Sequence, residues 1–115
     1  MDRFTKTKKG FLDNNTGIIW KSSDEPKKLS HKEALKLNTA IWRLPTLNEL
    51  MSLVEYDIHE PLPGMAPKYY WSSSLYTGDS DYAWYVRFSN RYYYDYINCS
   101  SHQYVRLIRK HGEEK

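Results

Sequence analysis

The stretch AWYVRFSNRYYYDYINCSSHQYVRLIR, residues 83–109, decides how the rest of the chain is read, because its ends and its middle follow different rules. At the ends, Trp84, Val86 and Phe88 alternate with Tyr85, Arg87 and Ser89, and Val105 and Leu107 flank Arg106. A period of two predicts strands with one buried face. In the middle the alternation gives way. Residues 91–101 carry four tyrosines, an arginine, an aspartate, an asparagine, a cysteine and serines, with Ile97 as their only aliphatic side chain. Such a run adds little to a core. Its Tyr, Ser, Asn and Arg content is that of antibody paratopes, where rigid amphipathic rings bind at small entropic cost.

Working outward, the compositional shift covers more than this run. From Tyr69 to Arg109 there is no lysine, glutamate or methionine, and every tyrosine except Tyr56 lies there. Strands disfavour lysine and glutamate, yet exposed strands normally keep some lysine against edge pairing, so β-structure explains only part of the shift. A chain of 115 residues is expected to form one domain, 1–115, with a binding region at about 85–104. It is long enough to bury roughly two-thirds of its unfolded surface. With Cys99 as the single cysteine, no internal disulfide forms, and packing by four tryptophans and eleven tyrosines must hold the fold. A net charge of +3 and a pI near 8.9 permit anionic partners without requiring them. The start, MDRFTKTKKGF, lacks the apolar core of a signal peptide, and no stretch reaches the roughly 20 apolar residues of a membrane span. The expectation is a chain that is cytoplasmic by default, with surface display left open.

Read in order, Phe4 opens a short strand and Gly10 to Lys21 forms a hairpin with its turn over Asp13 to Gly17. Ser30 with Glu33 is a capping box, and Ala34, Leu37 and Ile41 space a first helix of about two turns. Thr46 with Glu49 is a second box, opening a helix whose apolar face is Leu47, Leu50, Met51 and Val54. His59 to Pro67 reads as a loop, Tyr69 to Leu75 and Tyr82 to Ser89 as strands around a turn at Thr77 to Asp81. A turn near Asn90 and Arg91, an irregular tyrosine segment and a closing strand from Tyr104 to Ile108 complete an α+β pattern.

DNNTGIIW, WRLPTLNELMSLVEY, YYWSSS, DYAWYVRFSN and YVRLIR together resemble the C-terminal domain family of bacterial collagen-like adhesins, over about Phe11 to Arg109. The resemblance implies a C-type lectin-like fold of the formylglycine-generating-enzyme variety: two helices with a small antiparallel sheet and a C-terminal strand-rich ligand-binding region. It implies that Trp42, Leu44, Leu50, Trp71, Trp84 and Phe88 are core and that first and last strands lie side by side. Truncating a core Trp84 to alanine would then cost about 3 to 5 kcal/mol. Members of this fold also serve as variable proteins of diversity-generating retroelements, whose error-prone copying of asparagine codons excludes lysine, glutamate, glutamine, methionine and tryptophan. Residues Ser89 to His102 contain none of those five. The family's usual glycine is replaced by Arg91, and a lysine often found further on is absent, which departs from a plain adhesin and fits diversification.

Catalytic chemistry is poorly supplied. The enzyme that names the fold variety uses a cysteine pair, and here there is only Cys99. The calcium motifs of sugar-binding lectins, Glu-Pro-Asn-like and Trp-Asn-Asp, are absent. Asp79 and Asp81 read as a solvated turn, and His31, His59, His102 and His111 have no metal-ligand spacing. Ser72 to Ser74 lack a nucleophile elbow, the glycines form no phosphate loop, and capping accounts for Glu33 and Glu49. No enzyme activity, cofactor or metal is therefore expected.

The expected function is a non-enzymatic ligand-binding module, with an unidentified protein or glycan as partner. Its surface is assigned to Tyr85, Arg87, Arg91, Tyr92, Tyr94, Asp95, Tyr96, Asn98, Ser100, Ser101 and His102. Tyrosines anchor, arginines stack or bond in pairs, and the small polar side chains adapt. Some of the run, Tyr93 with Ile97, is expected to point inward. A fixed carbohydrate or glycosaminoglycan adhesin is the alternative. A single-stranded nucleic-acid binder is weaker, because no basic groove accompanies the tyrosines.

Overall fold

The computed structural model describes residues 3–57, 61–65, 68–88 and 93–110. In chain order these form β1 (Phe4–Lys6), β2 (Gly10–Asp13), β3 (Ile18–Lys21), α1 (His31–Leu35), α2 (Leu47–Tyr56), β4 (Lys68–Leu75), β5 (Tyr82–Phe88), β6 (Tyr93–Asn98) and β7 (Ile108–Lys110). Two antiparallel sheets result, one ordered β1-β2-β3-β7 and the other β4-β5-β6. The domain is mostly β, with two short helices. This corrects the α+β, C-type lectin-like expectation of two helices beside one small sheet.

The physical cause of the shortened first helix lies in Asn38 and Thr39. Ser30 and Glu33 do form the capping box that starts α1. Asn38 Oδ1, however, accepts from the Leu44 amide at 3.0 Å, and Thr39 Oγ1 accepts from the amides of Ile41 and Trp42 at 3.1 and 2.9 Å. Side-chain oxygens thus take the amides that a longer helix would have used. Ile41 is left 40% exposed instead of on an apolar helical face. The second capping box, Thr46 with Glu49, opens a helix of the expected span, and Arg43 grips the Glu49 carboxylate with two bonds of 3.0 and 2.8 Å.

The N-terminal hairpin turns on Asp13. Its buried carboxylate takes Nε and Nη2 of Arg3 at 2.9 and 2.7 Å and the Asn15 amide at 2.9 Å. Burial raises this carboxyl, but those donors outweigh it and hold it below its ordinary range. Arg3 Nη1 continues to the Ser52 carbonyl at 2.9 Å, tying the hairpin to α2.

Residues 103–110 strap the two sheets together. Gln103 exchanges backbone bonds with Leu29, and Tyr104 with Tyr69 and Trp71. Val105 accepts from Glu25, Leu107 from Lys21, and Ile108 pairs with Arg43 before β7 joins β3. The closing strand expected at Tyr104 to Ile108 is therefore a strap, and the strand proper begins at Ile108. Likewise the last strand lies beside β3, while β1 occupies the far edge of the sheet, so first and last strands are not neighbours. Arg106, 2% exposed, is held within the strap by Asp24 Oδ1 at 2.9 Å and the Pro63 carbonyl at 2.8 Å.

Apolar side chains pack on both faces of the β4-β5-β6 sheet. One cluster joins Tyr70, Val86 and Phe88 to Leu50 and Leu53 of α2, with Trp20 and Ile108. The other joins Trp71, Ala83 and Tyr85 to Ala34, Leu44, Val105 and Leu107. Leu44, Leu50, Trp71 and Phe88 are core as expected. Trp42 is not: it stands half-buried with Lys21 Nζ and Arg109 Cζ over its ring at 5.3 and 4.9 Å. Trp84 is half-buried as well.

His31 sits in this second layer, 2% exposed, with Nε2 2.8 Å from the Ser72 carbonyl and its ring edge-on to Trp71. Burial lowers its pKa below the ordinary histidine value, although the Ser72 contact opposes the shift. In the unfolded chain the imidazole protonates near pH 6.5. Below that pH the unfolded state takes up more protons than the folded one, so the stability present above pH 6.5 declines as pH falls through the folded pKa. The lowered carboxyls of Asp13 and Glu49 extend the decline below about pH 4.5. Urea midpoints measured at pH 7.5, 6 and 5 should fall across this series, and His31→Gln should flatten the upper limb. A midpoint rising between pH 7.5 and 5 would contradict the buried, neutral imidazole.

Candidate functional site

Register decides which side chains share a surface. Val86 faces Tyr94, Trp84 faces Tyr96, and Tyr82 faces Asn98. With the alternation of a strand, Tyr82, Trp84, Val86, Tyr94, Tyr96 and Asn98 therefore lie on the α2 side, together with Tyr70. The helix covers only part of that side. Tyr70, Val86 and Phe88 are fully buried, Tyr82 and Trp84 are half-buried, and Tyr94 and Tyr96 are 47% and 39% exposed.

The uncovered part is an ordered aromatic cluster. Tyr96 stacks on Tyr76 with centroids 3.8 Å apart and planes 13° from parallel. It meets Trp84 edge-to-face at 5.2 Å and Tyr82 at 6.0 Å. Trp84 in turn contacts Tyr76 at 5.9 Å and Tyr94 at 6.2 Å. The contacts of Tyr76 with Trp84 and of Tyr96 with Tyr82 and Trp84 are of the T-shaped kind that aromatic quadrupoles favour, while Tyr94 meets Trp84 at a tilt. Tyr76 is held there by the turn after β4, where its amide donates to the Tyr82 carbonyl at 2.8 Å. Its ring lies over Gly78, where an added Cβ would come within 2.5 Å of Cε2. The Tyr76 phenol bonded to Tyr96, with smaller contributions from burial and the Asp95 charge, raises the Tyr96 pKa, so the Tyr96 phenol is neutral at physiological pH.

The opposite face carries a different set. Tyr85 is 7% exposed and packs edge-on to Tyr69 at 5.3 Å, within the second core cluster. The Arg87 guanidinium lies 5.4 Å from the centre of the Tyr69 ring. Ile97 and Cys99 pack against the same cluster. Tyr85 and Arg87 are thus separated by the thickness of the sheet from Tyr94 and Tyr96.

The remaining sequence-assigned residues scatter around the edge strand. Asp95 is half-buried, and its carboxylate accepts from the Tyr96 amide at 2.8 Å. Asn98 is exposed and uses Oδ1 to take the Ser100 amide at 2.8 Å, while its carbonyl accepts from Ser101 at 2.9 Å. Ser100 is exposed and Ser101 half-buried in that turn. His102 lies 3.8 Å from Glu33 at the start of α1. Arg91, Tyr92 and the turn expected at Asn90 lie outside the described residues, as do residues 59, 60, 66 and 67 of the His59–Pro67 loop.

Sequence reasoning missed Tyr76, Tyr82 and Trp84 as surface residues. Trp84 alternates with Val86 and Phe88 and so reads as core. The signal available was its pairing partner, since a tryptophan opposite Tyr96 on an edge strand has only a rim position to occupy.

The surface offers stacking area and phenol hydrogen bonds rather than a nucleophile and base. Ser72 is buried with its hydroxyl donating to the Trp84 carbonyl at 2.8 Å. Burial, with the Asp81 and Asp79 charges, raises the Cys99 pKa, which keeps the thiol protonated. Among the described residues no three His, Cys, Asp or Glu side chains are grouped to hold a metal ion, and no helix is long and apolar enough to cross a membrane. Away from the aromatic cluster, a cleft of about 410 Å³ is lined by Lys28, Lys68, Tyr69, Gln103 and Tyr104.

Together the fold and the exposed cluster define a small, mostly β domain with an aromatic sheet face. The chain belongs to the Lcl C-terminal domain family, whose model matches residues 9–109. Among curated proteins none matches it.

Proposed function

We propose that this chain is a single, non-enzymatic ligand-binding domain that engages a protein partner through the aromatic face of β5 and β6. One observation carries the proposal: Tyr94 and Tyr96 expose 47% and 39% of their surface, yet are held in a fixed cluster with Tyr76, Tyr82 and Trp84. Pre-ordered aromatic rings give contact area without the entropy cost of fixing flexible side chains, and Tyr and Trp dominate interface hot spots. Membership of the Lcl C-terminal domain family supports a binding-type rather than catalytic domain.

Retroelement-driven diversification of this surface belongs to the same proposal. Ser89 to His102 contains no residue that mutated asparagine codons fail to encode, and it includes the exposed Tyr94, Tyr96 and Asn98. The double variant Tyr94→Ala/Tyr96→Ala, screened with the parent against arrays of immobilised proteins and glycans, tests the surface. Ligands captured by the parent should bind the variant about a hundredfold more weakly, the loss expected of two hot-spot rings. Unchanged capture by a variant with an unchanged melting temperature would refute the surface assignment.

A second reading, a fixed carbohydrate-binding adhesin, is favoured by the cleft. Lys68 and Lys28 place Nζ 5.0 and 5.7 Å from the centre of the Tyr104 ring there, combining positive charge with an aromatic wall. Steep loss of glycan capture with added salt, insensitive to Tyr94→Ala/Tyr96→Ala, would select it.

A further inference from the structure

The turn that joins two rings of the aromatic face is acidic in an otherwise basic protein. The chain carries a net charge of +3, yet no lysine or arginine occurs between Lys68 and Arg87, nor between Arg91 and Arg106. Those two segments supply every ring of the cluster. They contain Asp79, Asp81 and Asp95. Asp79 and Asp81 are exposed in the turn whose ends are Tyr76 and Tyr82, both members of the cluster. The Asp79 carboxylate accepts from the Asp81 amide at 2.9 Å, which fixes it at the rim. Asp95, next to Tyr96 in β6 but opposite Tyr85 in register, adds its charge from the other face of the sheet. The helix covering the rest of this side, α2, carries no basic residue, although its Glu49 is paired with Arg43 and its Glu55 lies near Arg3.

We infer that the occupant of this face is an arginine-bearing protein segment. The inference rests on the display-surface proposal above and adds the partner's chemistry. A guanidinium is flat, weakly hydrated and always charged, so it stacks on Trp and Tyr faces while its edge donates to carboxylates. Tyr94, Tyr96 and Trp84 supply the faces, and Asp79 and Asp81 supply the acceptors at one rim. The remainder of the molecule, being net positive, repels the same segment, so the field directs it to this end. An anionic partner meets the reverse field here and is disfavoured.

A peptide of alternating glycine and arginine, titrated into the full chain and followed by backbone amide shifts, provides the test. Saturable binding is expected, with shifts concentrated at Tyr76–Trp84 and Tyr94–Asn98, and none with a glycine–glutamate peptide of equal length. Asp79→Asn/Asp81→Asn, in which the side-chain oxygen still accepts the turn amide, should bind about threefold to tenfold more weakly and lose most of its salt dependence. Equal binding of the glutamate peptide, shifts centred elsewhere, or an affinity unchanged in the asparagine variant would overturn the inference. Absence of arginine-peptide binding, together with loss of array ligands in Tyr94→Ala/Tyr96→Ala, would overturn the cationic occupant and leave the display surface standing. A folded double-tyrosine variant that kept both the array ligands and the peptide would overturn both.

Discussion

Trp71→Ala is expected to lose a large share of the domain's stability, whereas Trp84→Ala should lose little. Trp71 is fully buried between α1 and the strap, its Nε1 donates to the Leu29 carbonyl at 2.7 Å, and His31 packs against its ring. Removing such an indole costs about 3 to 5 kcal/mol through lost transfer energy and the cavity left behind. The Leu29 carbonyl keeps the Gln103 amide at 2.9 Å as its second donor, so the cost is chiefly that of the cavity. Against a total stability of about 5 to 15 kcal/mol, this is a large share, equivalent to a fall in melting temperature of roughly 15 °C. Trp84 is half-buried at the rim of the sheet and contacts chiefly other surface rings. Its removal should cost about 1 to 2 kcal/mol. Thermal melts of the two variants check the contrast, and equal losses would mean that the aromatic face is core.

Gly10→Ala should be nearly as damaging, although it adds one carbon. Gly10 starts β2 opposite Lys21, with φ at 147°, a conformation that side-chain-bearing residues rarely adopt. A Cβ there would run into the Trp20 carbonyl oxygen, which is backbone and has no rotamer by which to yield. Backbone strain alone costs about 1 to 3 kcal/mol, and relieving the overlap requires β2 and β3 to separate. The sheet carries the register that brings β7, and hence the strap, into place. A melting temperature lowered by about 10 °C or more is expected. An alanine variant as stable as the parent would contradict the close approach of β2 to β3.

How much of this was legible depends on whether a feature is written locally. The two capping boxes, the Asp13–Gly17 turn and the span of α2 follow from residues a few positions apart. The early end of α1 was less accessible, since Asn38 must accept from Leu44, six residues on. The strap was less accessible still: Val105 and Leu107 alternate like a strand, and only their distant partners Glu25 and Lys21 show that the segment bridges two sheets. For the site, composition located the tyrosine run, but periodicity without register leaves open which rings share a face. Proximity in sequence groups Tyr85 and Arg87 with Tyr94 and Tyr96, and the pleat puts them on opposite sides. Tyr76 has no local signal, because its neighbour in the cluster, Tyr96, is remote along the chain.

The central claim is that the uncovered side of β5 and β6 is a display surface. Sequencing many sibling copies of this gene, with the flanking DNA, tests it most directly. Substitutions concentrated at Tyr94, Tyr96 and Asn98, with Ile97 constant and a template repeat beside a reverse transcriptase, are the predicted result. Siblings that preserve Tyr94 and Tyr96 while varying Ile97 or Tyr85, or a uniform gene with no template repeat, would contradict a diversified face at this place in the fold.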